Sequence, residues 1–332
     1  LTPRFPSNIV IPPALIFAGG FCLPMLQLLN RPLPLILDGA LATELEYRGA
    51  ELSGRLWSAR MLEEQPALIR EVHLDYFRAG ADVATTASYQ ATLPGLEQAG
   101  YSAARTRALI QRSVTLAQEA RQLWLAEQLG SDRAAPLIAA SVGPYGAYLA
   151  DGSEYQGHYG LSDANLYDFH KPRLVWLLEQ APDLFAFETL PSLQEARVLL
   201  ELLEQYPAAQ AWFSFTARDA AHISEGQPVA EVGQLLGSHP QGLAIGFNCI
   251  PPHLGTALLS NLGKHTNKPL LIYPNSGERW DAGRQCWLPA YRAPRGFGAL
   301  PQAWSEAGAK LIGGCCRTRP SDIRTMRRAF FQ

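Results

Sequence analysis

The sequence lacks a charge excess, a long basic run and a long apolar run, and these absences exclude several classes of protein. Its 332 residues include 28 Lys and Arg and 30 Asp and Glu, which leaves a formal net charge of −2. Nucleic-acid-binding and membrane-surface proteins usually carry clustered basic residues, and none occur here. No apolar stretch reaches the roughly 18 residues of a membrane-spanning helix. We therefore expect small-molecule substrates, no nucleic-acid partner and no membrane partner.

Cysteine is also scarce, which argues against a disulfide framework. The chain has five cysteines, an odd number, and Cys315 and Cys316 are adjacent, where a mutual bridge would be strained. Reduced thiols with a metal-binding or catalytic role fit this pattern better and predict a cytoplasmic protein. Cys22 and Cys286 fall in segments that we predict to be irregular, and we interpret both as ordinary thiols.

Acidic residues are absent from the first 34 residues, which contain seven prolines. A signal peptide is one interpretation, but a basic cluster and a small-residue cleavage pattern are missing. We favour a disordered or non-native extension over residues 1–30, for which translated sequence upstream of a start at Met25 is one explanation. The remaining residues, 31–332, are predicted to form one domain.

From residue 35 onward, short apolar segments alternate with longer segments of helical periodicity. The apolar segments are mostly continuous, as expected of strands covered on both faces. Eight occur, at residues 35–38, 82–86, 137–141, 184–188, 211–216, 243–248, 270–273 and 310–313.

Helices are predicted between these strands. Pro66 suits the first turn of a helix that ends at Gly80, a second helix spans about residues 103–129, and Ser192 can cap a third over residues 193–205. Eight β/α units close most naturally into a single (β/α)8 TIM-type barrel of the α/β class. The alternative, a doubly wound open sheet, would need a Gly-rich fingerprint after the first strand, and this sequence has none there.

Cysteines at the C-terminal ends of two strands are the main functional candidates, because barrel active sites lie at that end. Cys249 follows the sixth strand, and Cys315 and Cys316 follow the eighth. Gly313 and Gly314 remove side-chain bulk, so that both adjacent cysteines can face inward. Three thiolates would hold a zinc ion and leave its fourth position open, as in catalytic sites. Ordinary buried thiols are the alternative.

Histidines do not add to this metal site. His73, inside the first long helix, is expected to be a hydrogen-bonded helix residue rather than a ligand. The other histidines show no metal-ligand spacing.

The strand ends also carry a set of short motifs. They are Asp-Gly-Ala-Leu-Ala-Thr-Glu-Leu at 38–45, Thr-Ala-Ser-Tyr-Gln at 86–90, Ser-Val-Gly-Pro-Tyr-Gly at 141–146, Glu-Thr-Leu-Pro at 188–191, Gly-Phe-Asn-Cys at 246–249, Tyr-Pro-Asn-Ser-Gly-Glu at 273–278 and Gly-Gly-Cys-Cys-Arg at 313–317. Together they resemble the homocysteine S-methyltransferase family over about residues 35–328. The likeness is to the bacterial and plant type that uses S-methylmethionine.

The resemblance implies a set of site residues. Cys249, Cys315 and Cys316 would be the zinc ligands and the catalytic centre. The substrate-binding residues would be Asp38, Glu188, Trp57, Thr86 and Asn248. Within this set, Asp38 and Glu188 would bind the homocysteine ammonium, and Trp57 would lie over the substrate. For the two carboxylates the alternative role is to cap the helix that follows each strand.

The implied reaction is zinc-dependent methyl transfer from S-methylmethionine, or alternatively S-adenosylmethionine, to the thiol of L-homocysteine, which gives methionine. Coordination to zinc would deprotonate the thiol. The loop over residues 143–157 is the predicted donor site, because the faces of Tyr145, Tyr148 and Tyr155 would favour a sulfonium cation. Tyrosines that only cover the barrel rim are the alternative.

Three other functions are compatible with the same residues. They are transfer from a betaine-type donor, hydrolysis by a zinc site on the same barrel, and a non-catalytic zinc or thiol sensor. Hydrolytic zinc sites usually contain His and carboxylate ligands, so three cysteines favour methyl transfer over hydrolysis.

Overall fold

The computed structural model describes residues 28–52, 56–129, 132–281, 286–288 and 297–331. In this part of the chain, eight parallel strands form one sheet and two antiparallel strands form another. In chain order the strands are β1 (Leu35–Ile36), β2 (Val83–Thr85), β3 (Leu137–Val142), β4 (Leu184–Leu190), β5 (Ala211–Phe215), β6 (Gly242–Asn248), β7 (Leu270–Tyr273), β8 (Arg279–Asp281), β9 (Cys286–Leu288) and β10 (Ala309–Ile312).

The first and second strands close the parallel sheet into a barrel. Leu37 forms a parallel bridge with Val83, and the backbone N–H of Asp38 donates to the carbonyl oxygen of Val83 over 3.0 Å. The remaining strands pair in sequence, from β2 through β7 to β10 and back to β1. The prediction of a single (β/α)8 TIM-type barrel is confirmed, and the predicted strand bounds agree with the structure to within two residues.

Helices surround the barrel and connect its strands. They are α1 (Leu41–Tyr47), α2 (Met61–Glu64), α3 (Pro66–Ala79), α4 (Leu93–Gln98), α5 (Ala103–Glu127), α6 (Tyr145–Leu149), α7 (Asp163–Leu178), α8 (Leu193–Glu204), α9 (Val229–Leu236), α10 (Gly255–Leu262), α11 (Leu300–Glu306) and α12 (Pro320–Phe330). The predicted helix signals are confirmed. Gly80 ends α3 in the left-handed region with a φ of 113°, and the Ser192 hydroxyl accepts a hydrogen bond from the N–H of Glu195 at the start of α8. None of the described helices is long and apolar enough to cross a membrane.

The short hairpin β8–β9 was not expected from the sequence. It lies between β7 and α11 and pairs Arg279 with Leu288 and Asp281 with Cys286. The prediction that Cys286 falls in an irregular segment is therefore wrong. Its apolar neighbours, Trp287 and Leu288, are too few to have indicated a strand by pattern. Cys22 lies outside the described residues.

Alternate residues of each strand face opposite sides of the sheet, so the core has two layers. One apolar cluster lies inside the barrel and takes residues from every one of its strands, namely Leu37, Val83, Ala139, Ala186, Trp212, Ala244, Leu271 and Leu311. A larger cluster lies between the sheet and the helices. The inward positions change to polar residues toward the C-terminal ends of the strands, with Thr85, Ser141, Glu188, Ser214 and Tyr273. This polar layer forms the floor of the functional site.

The described chain begins inside the segment that was assigned to an extension. Leu29 is only 5% exposed, and it packs with Leu28 against the apolar residues inside the barrel. Leu28 and Leu29 therefore contact the barrel from outside the predicted domain over residues 31–332. Residues 1–27, including Met25, lie outside the described part.

Candidate metal centre and active site

One cavity of about 640 Å³ opens at the C-terminal ends of the barrel strands. Its walls include most of the residues that the sequence predicted for the site, namely Asp38, Thr86, Glu188, Cys249, Cys315 and Cys316. Loops after β1, β2, β3, β6 and β10 complete the walls. A mixed polar and apolar concave site of this size suits a small organic substrate.

The three predicted metal-binding cysteines meet on one side of this cavity. The Cys249 Sγ lies 2.9 Å from the Cys315 Sγ and 3.4 Å from the Cys316 Sγ, and all three sulfurs fall within 4.8 Å of one another. Cys249 has a left-handed backbone, with a φ of 52°, immediately after β6. The Cys249 N–H donates to the Tyr273 carbonyl oxygen over 3.2 Å, which fixes this unusual turn to the end of β7.

Two glycines allow the adjacent cysteines to reach the same point, as the sequence predicted. A Cβ on Gly313 would lie 2.5 Å from the Leu37 Cβ, and a Cβ on Gly314 would lie 2.4 Å from the Thr318 Oγ1. Both distances are too short for any side chain. The cysteine backbone is then held by the Cys315 N–H, which donates to the Pro274 carbonyl oxygen over 2.7 Å, and by the Cys316 carbonyl oxygen, which accepts from Ser276.

The sulfur cluster fits a thiophilic metal ion. Tetrahedral coordination by thiolates at about 2.3 Å places the sulfurs about 3.8 Å apart, so a modest outward movement of the cysteine side chains would accommodate the ion. Hydrogen bonds from Cys315 and Cys316 hold the pKa of Cys249 well below its usual range, despite its burial. Three sulfurs this close favour a thiolate in the cluster, and thiolates are the form that binds metals.

Asp38 is buried in the same cavity at the end of β1 and is fixed by its neighbour on β2. Its carboxylate accepts hydrogen bonds from the Thr85 N–H over 2.9 Å and from the Thr85 hydroxyl over 3.2 Å. Burial raises the pKa of Asp38 well above its usual value, the bonds from Thr85 oppose this, and Glu188 raises it further. The Asp38 carboxylate is bonded to Thr85 on β2, so the alternative role as a cap of α1, which begins after Ala40, is not supported.

Glu188 projects from β4 and is 8% exposed. Its two carboxylate oxygens accept hydrogen bonds from the Ser141 hydroxyl and, over 3.0 Å, from the Tyr273 hydroxyl. Burial raises the pKa of Glu188 to about 7, while the bonds from Ser141 and Tyr273 lower it. The following helix is capped by Ser192 instead, so Glu188 is available to a ligand.

Thr86 and Asn248 occupy different depths in the site. The Thr86 hydroxyl lines the cavity and is 2.6 Å from the Ser88 hydroxyl. Asn248 is fully buried, and its Oδ1 accepts from the Thr189 N–H and from the Ser214 hydroxyl, each over 2.8 Å. Asn248 Nδ2 also lies 3.9 Å from the Cys315 Sγ. Asn248 therefore supports the cysteine cluster from behind, and substrate contact by either residue stays a prediction.

Trp57 begins a short 3-10 helix, Trp57–Arg60. Its side chain lies outside what the structure describes, so its contact with the substrate stays a prediction.

The predicted donor loop over residues 143–157 only partly lines the cavity. Tyr155 does so, and its hydroxyl donates to the Cys249 Sγ over 3.5 Å. Tyr145 and Tyr148 instead pack against Phe169, with ring centroids 5.0 and 5.5 Å away. Glu154 lines the cavity beside Tyr155, and sequence reasoning missed it because a single carboxylate in a loop carries no pattern.

A buried charged network behind the cavity was also missed. Arg173 is 1% exposed and donates to the carbonyl oxygens of Tyr89, over 2.9 Å, and Gly143, over 2.6 Å. His170 lies between Arg173 and Glu195, 3.0 Å from the guanidinium and 2.7 Å from the carboxylate. The network therefore fixes the loops after β2 and β3. The sequence contained one signal, because Arg173 lies immediately before the apolar run 174–178. An arginine is almost never fully buried without a partner, so this position indicates a buried polar network.

Comparisons with known proteins found related sequences and structures. The family model for homocysteine S-methyltransferase matches residues 35–330. The homocysteine S-methyltransferase of Escherichia coli (strain K12) is 52% identical over 307 residues, 92% of this chain and 97% of the relative. Homocysteine S-methyltransferase 2 of Zea mays is 46% identical over 303 residues, 89% of each chain. The crystal structure of the metallated form of the homocysteine methyltransferase MmuM from Escherichia coli superposes with a TM-score of 0.82 at 48% identity, covering 92% of this chain and 98% of that one.

Proposed function

This chain belongs to the homocysteine S-methyltransferase family, and we propose that it transfers a methyl group from S-methylmethionine to the thiol of L-homocysteine, with zinc held by Cys249, Cys315 and Cys316. The products are two molecules of methionine. One is formed from homocysteine and the other is the demethylated donor.

The observation that carries this proposal is the pairing of a sulfur cluster with two buried carboxylates in one cavity. Homocysteine has a thiol at one end and an ammonium group at the other. Its thiol suits the open metal position beside the cysteines, and its ammonium suits Asp38 and Glu188. Burying those carboxylates without a counter-ion is costly, as the raised pKa of each shows. The arriving ammonium would remove that cost.

The protein's own residues position the reactants. Thr85 orients the Asp38 carboxylate, and Ser141 and Tyr273 orient that of Glu188. When bound, zinc lowers the pKa of a coordinating thiol, so that homocysteine is presented as a nucleophile. The homocysteine sulfur attacks the donor methyl carbon in line, and the electron pair of the broken S–C bond stays on the donor sulfur. Positioning of this kind contributes to the rate by holding the sulfur and the methyl group in contact.

We assign the binding site of the methyl donor to the loop over residues 143–157 together with Tyr89. Tyr155 contributes an aromatic ring beside the cysteines, and Glu154 contributes a carboxylate. Both groups favour a cationic sulfonium donor. S-adenosylmethionine is the alternative donor of the same chemistry, and a betaine-type donor is cationic as well.

A donor panel tests the proposal. Zinc-loaded protein would be incubated with homocysteine and, separately, with S-methylmethionine, S-adenosylmethionine or betaine, and methionine formation would be measured. We expect the highest kcat/KM with S-methylmethionine. A higher value with betaine would overturn the donor, and no product with any donor would overturn the proposed activity.

We also propose that the protein acts in the cytoplasm as a single barrel domain over residues 31–332. Support for the location comes from the three free cysteines in the cavity, which need a reducing compartment to stay available to a metal.

A further inference from the structure

Acidic side chains outnumber basic ones among the described residues that line the cavity. This imbalance bears on how the second substrate is held. Among the described lining residues, four are acidic, namely Asp38, Glu46, Glu154 and Glu188. One is a cation, Arg317. Both substrates of the proposed reaction are α-amino acids, so each brings a carboxylate as well as an ammonium group. Arg317 is therefore the one charged partner that the described walls offer to a carboxylate.

Arg317 is held in a defined orientation. Its backbone lies in the left-handed region with a φ of 67°, and its N–H donates to the Thr43 hydroxyl over 3.0 Å. The guanidinium Nε donates to the Glu278 Oε2 over 2.6 Å. Within the described part of the chain, its two Nη atoms have no hydrogen-bond partner. These atoms form the end of the guanidinium that binds a carboxylate through two parallel hydrogen bonds.

The position of Arg317 favours the donor over homocysteine. Asp38 and Glu188, which are assigned to the homocysteine ammonium, are 4% and 8% exposed and lie in the floor of the cavity. The Arg317 side chain is 36% exposed, which places it nearer the mouth. With homocysteine in the floor, the space that remains for a donor lies toward the mouth. Its sulfonium then faces the sulfurs, and its amino-acid end points back toward the solvent.

An acidic residue accompanies Arg317 at the mouth. Glu46 lines the same cavity and is exposed. Burial of part of its side chain raises the pKa of Glu46, and the nearby charge of Arg317 opposes this shift. The charges of Glu46 and Arg317 therefore interact, and the two residues provide one anion and one cation close together. A zwitterionic α-amino acid has the complementary pair of charges.

We propose that Arg317 binds the α-carboxylate of the sulfonium donor and that Glu46 faces the donor's α-ammonium group. The inference rests on the proposed methyl transfer and deepens it, because it assigns the residue that selects the amino-acid part of the donor. It requires the protein to prefer sulfonium donors that carry a free carboxylate. Arg317 is a binding and specificity residue in this account and takes no part in bond breaking.

A double-substitution cycle between the protein and the donor tests the proposal. The donors are S-methylmethionine and its carboxamide, which keeps the sulfonium and the ammonium but removes the carboxylate charge. The proteins are the zinc-loaded unaltered chain and Arg317→Gln. We expect kcat/KM of the unaltered chain to fall about ten- to a hundredfold when the carboxylate is masked, and Arg317→Gln to show little further loss between the two donors.

The same loop provides a matched control. Arg319 is similarly exposed, at 33%, and its Nε donates to the Glu44 Oε2 over 2.8 Å, but it does not line the cavity. Arg319→Gln should keep the full preference for the free carboxylate. Zinc content is measured in both variants, because Arg317 follows Cys316 directly, and it should be unchanged. Arg317→Lys should recover part of the preference.

Three results would overturn the proposal. The unaltered chain could use both donors equally, or Arg317→Gln could keep the full preference. In the third result, the fall in kcat/KM depends on Arg317 when homocysteine is replaced by homocysteine carboxamide, and not when the donor carboxylate is masked. That result would assign Arg317 to homocysteine. Absence of transfer from any sulfonium to homocysteine by the unaltered chain is a separate result, because it removes the proposed function itself and the inference with it.

Discussion

The hydroxyl of Tyr273 donates a hydrogen bond to Oε2 of Glu188 over 3.0 Å, which joins the end of β7 to the end of β4 across the barrel. The same hydroxyl lies 2.5 Å from the Ser214 hydroxyl and accepts from the Trp212 indole over 3.1 Å. Tyr273 is thus fully engaged, and it keeps the Glu188 carboxylate at one position. Burial nevertheless raises the pKa of Glu188 to about 7.

This pKa predicts a pH dependence of homocysteine use. The proposed contact of Glu188 with the homocysteine ammonium requires an ionised carboxylate, so kcat/KM for homocysteine should rise as the pH increases through about 7. Glu188→Gln should flatten this dependence and lower kcat/KM at pH 8 about ten- to a hundredfold, the usual effect of losing one charge-assisted contact. Zinc content should not change. Steady-state kinetics across pH check this prediction, and unaltered homocysteine kinetics in the variant would remove Glu188 from the substrate site.

Glu188→Gln, which should lower activity, should raise the stability of the substrate-free protein at pH 8. The pKa of Glu188 is raised on folding, from 4.5 to about 7. Its protonated form therefore favours the folded state, and that contribution is lost as the pH rises through about 7. Without substrate, Glu188→Gln should be more stable than the unaltered protein at pH 8, by at most about 3 kcal/mol, and similar to it at pH 5. Thermal unfolding at both pH values tests this difference.

The proposed metal ligands predict loss of the ion when any one of the three cysteines is replaced. Cys249→Ser and Cys316→Ser should each lose bound zinc and activity together, because two thiolates hold the ion much less tightly than three. Cys286→Ser is the control and is expected to keep both, since the proposed ligand set is Cys249, Cys315 and Cys316. Elemental analysis of the purified variants measures the metal. Full zinc occupancy in either of the first two variants would contradict the ligand assignment.

The barrel was predictable because its strands are covered on both faces and are therefore continuous apolar segments. The helix ends at Gly80 and Ser192 were predictable for local reasons, since a left-handed turn favours glycine and an exposed helix N-terminus favours a side-chain oxygen. The hairpin β8–β9 was not, because strands of three residues carry too little pattern to be recognised.

In the site, residues at strand ends were predictable and their partners were not. The cysteines and Glu188 could be placed because the barrel fixes where strands end. Tyr273, Thr85 and Arg173 act through contacts with residues far away in the sequence, and a single sequence does not show which residues meet. His73 was predicted correctly as a helix residue, but the expected hydrogen bonds are absent from the described structure. A local pattern places a residue in a helix without showing what faces it.

The Arg173 network predicts a large loss of stability when the cation is removed. Arg173→Met deletes hydrogen bonds to the Tyr89 and Gly143 carbonyl oxygens and leaves Glu195 buried beside a neutral neighbour. The free energy of unfolding should fall by about 3–5 kcal/mol. The double variant Arg173→Met with Glu195→Leu should recover part of this loss, because it no longer buries an uncompensated charge. Urea unfolding measures both, and a loss below about 1 kcal/mol in the single variant would contradict the assigned role.

Replacement of His73 by an apolar residue should raise the stability of the protein. It is fully buried in α3, and neither ring nitrogen has a hydrogen-bond partner among the described residues. Burial lowers the pKa of His73 to about 4, so its contribution to stability is present above about pH 6.5 and is lost as the pH falls toward 4. His73→Leu should raise the free energy of unfolding at pH 7 by about 1–2 kcal/mol and reduce the sensitivity to acid. Unfolding at pH 5 and 7 tests both effects, and a destabilised variant at both pH values would show an unrecognised polar contact.

Isotope transfer can show whether the methyl group moves from the donor to homocysteine at the cysteine cluster. Zinc-loaded protein would be given homocysteine labelled with nitrogen-15 and S-methylmethionine with both sulfonium methyl groups deuterated, and the methionine products would be resolved by mass spectrometry. We expect methionine that carries both labels, formed in a one-to-one ratio with deuterated methionine left from the donor, and neither product with Cys249→Ser protein. Deuterated methionine formed from the donor without any doubly labelled methionine, or doubly labelled methionine at an undiminished rate with Cys249→Ser protein, would contradict methyl transfer at a cysteine-held metal.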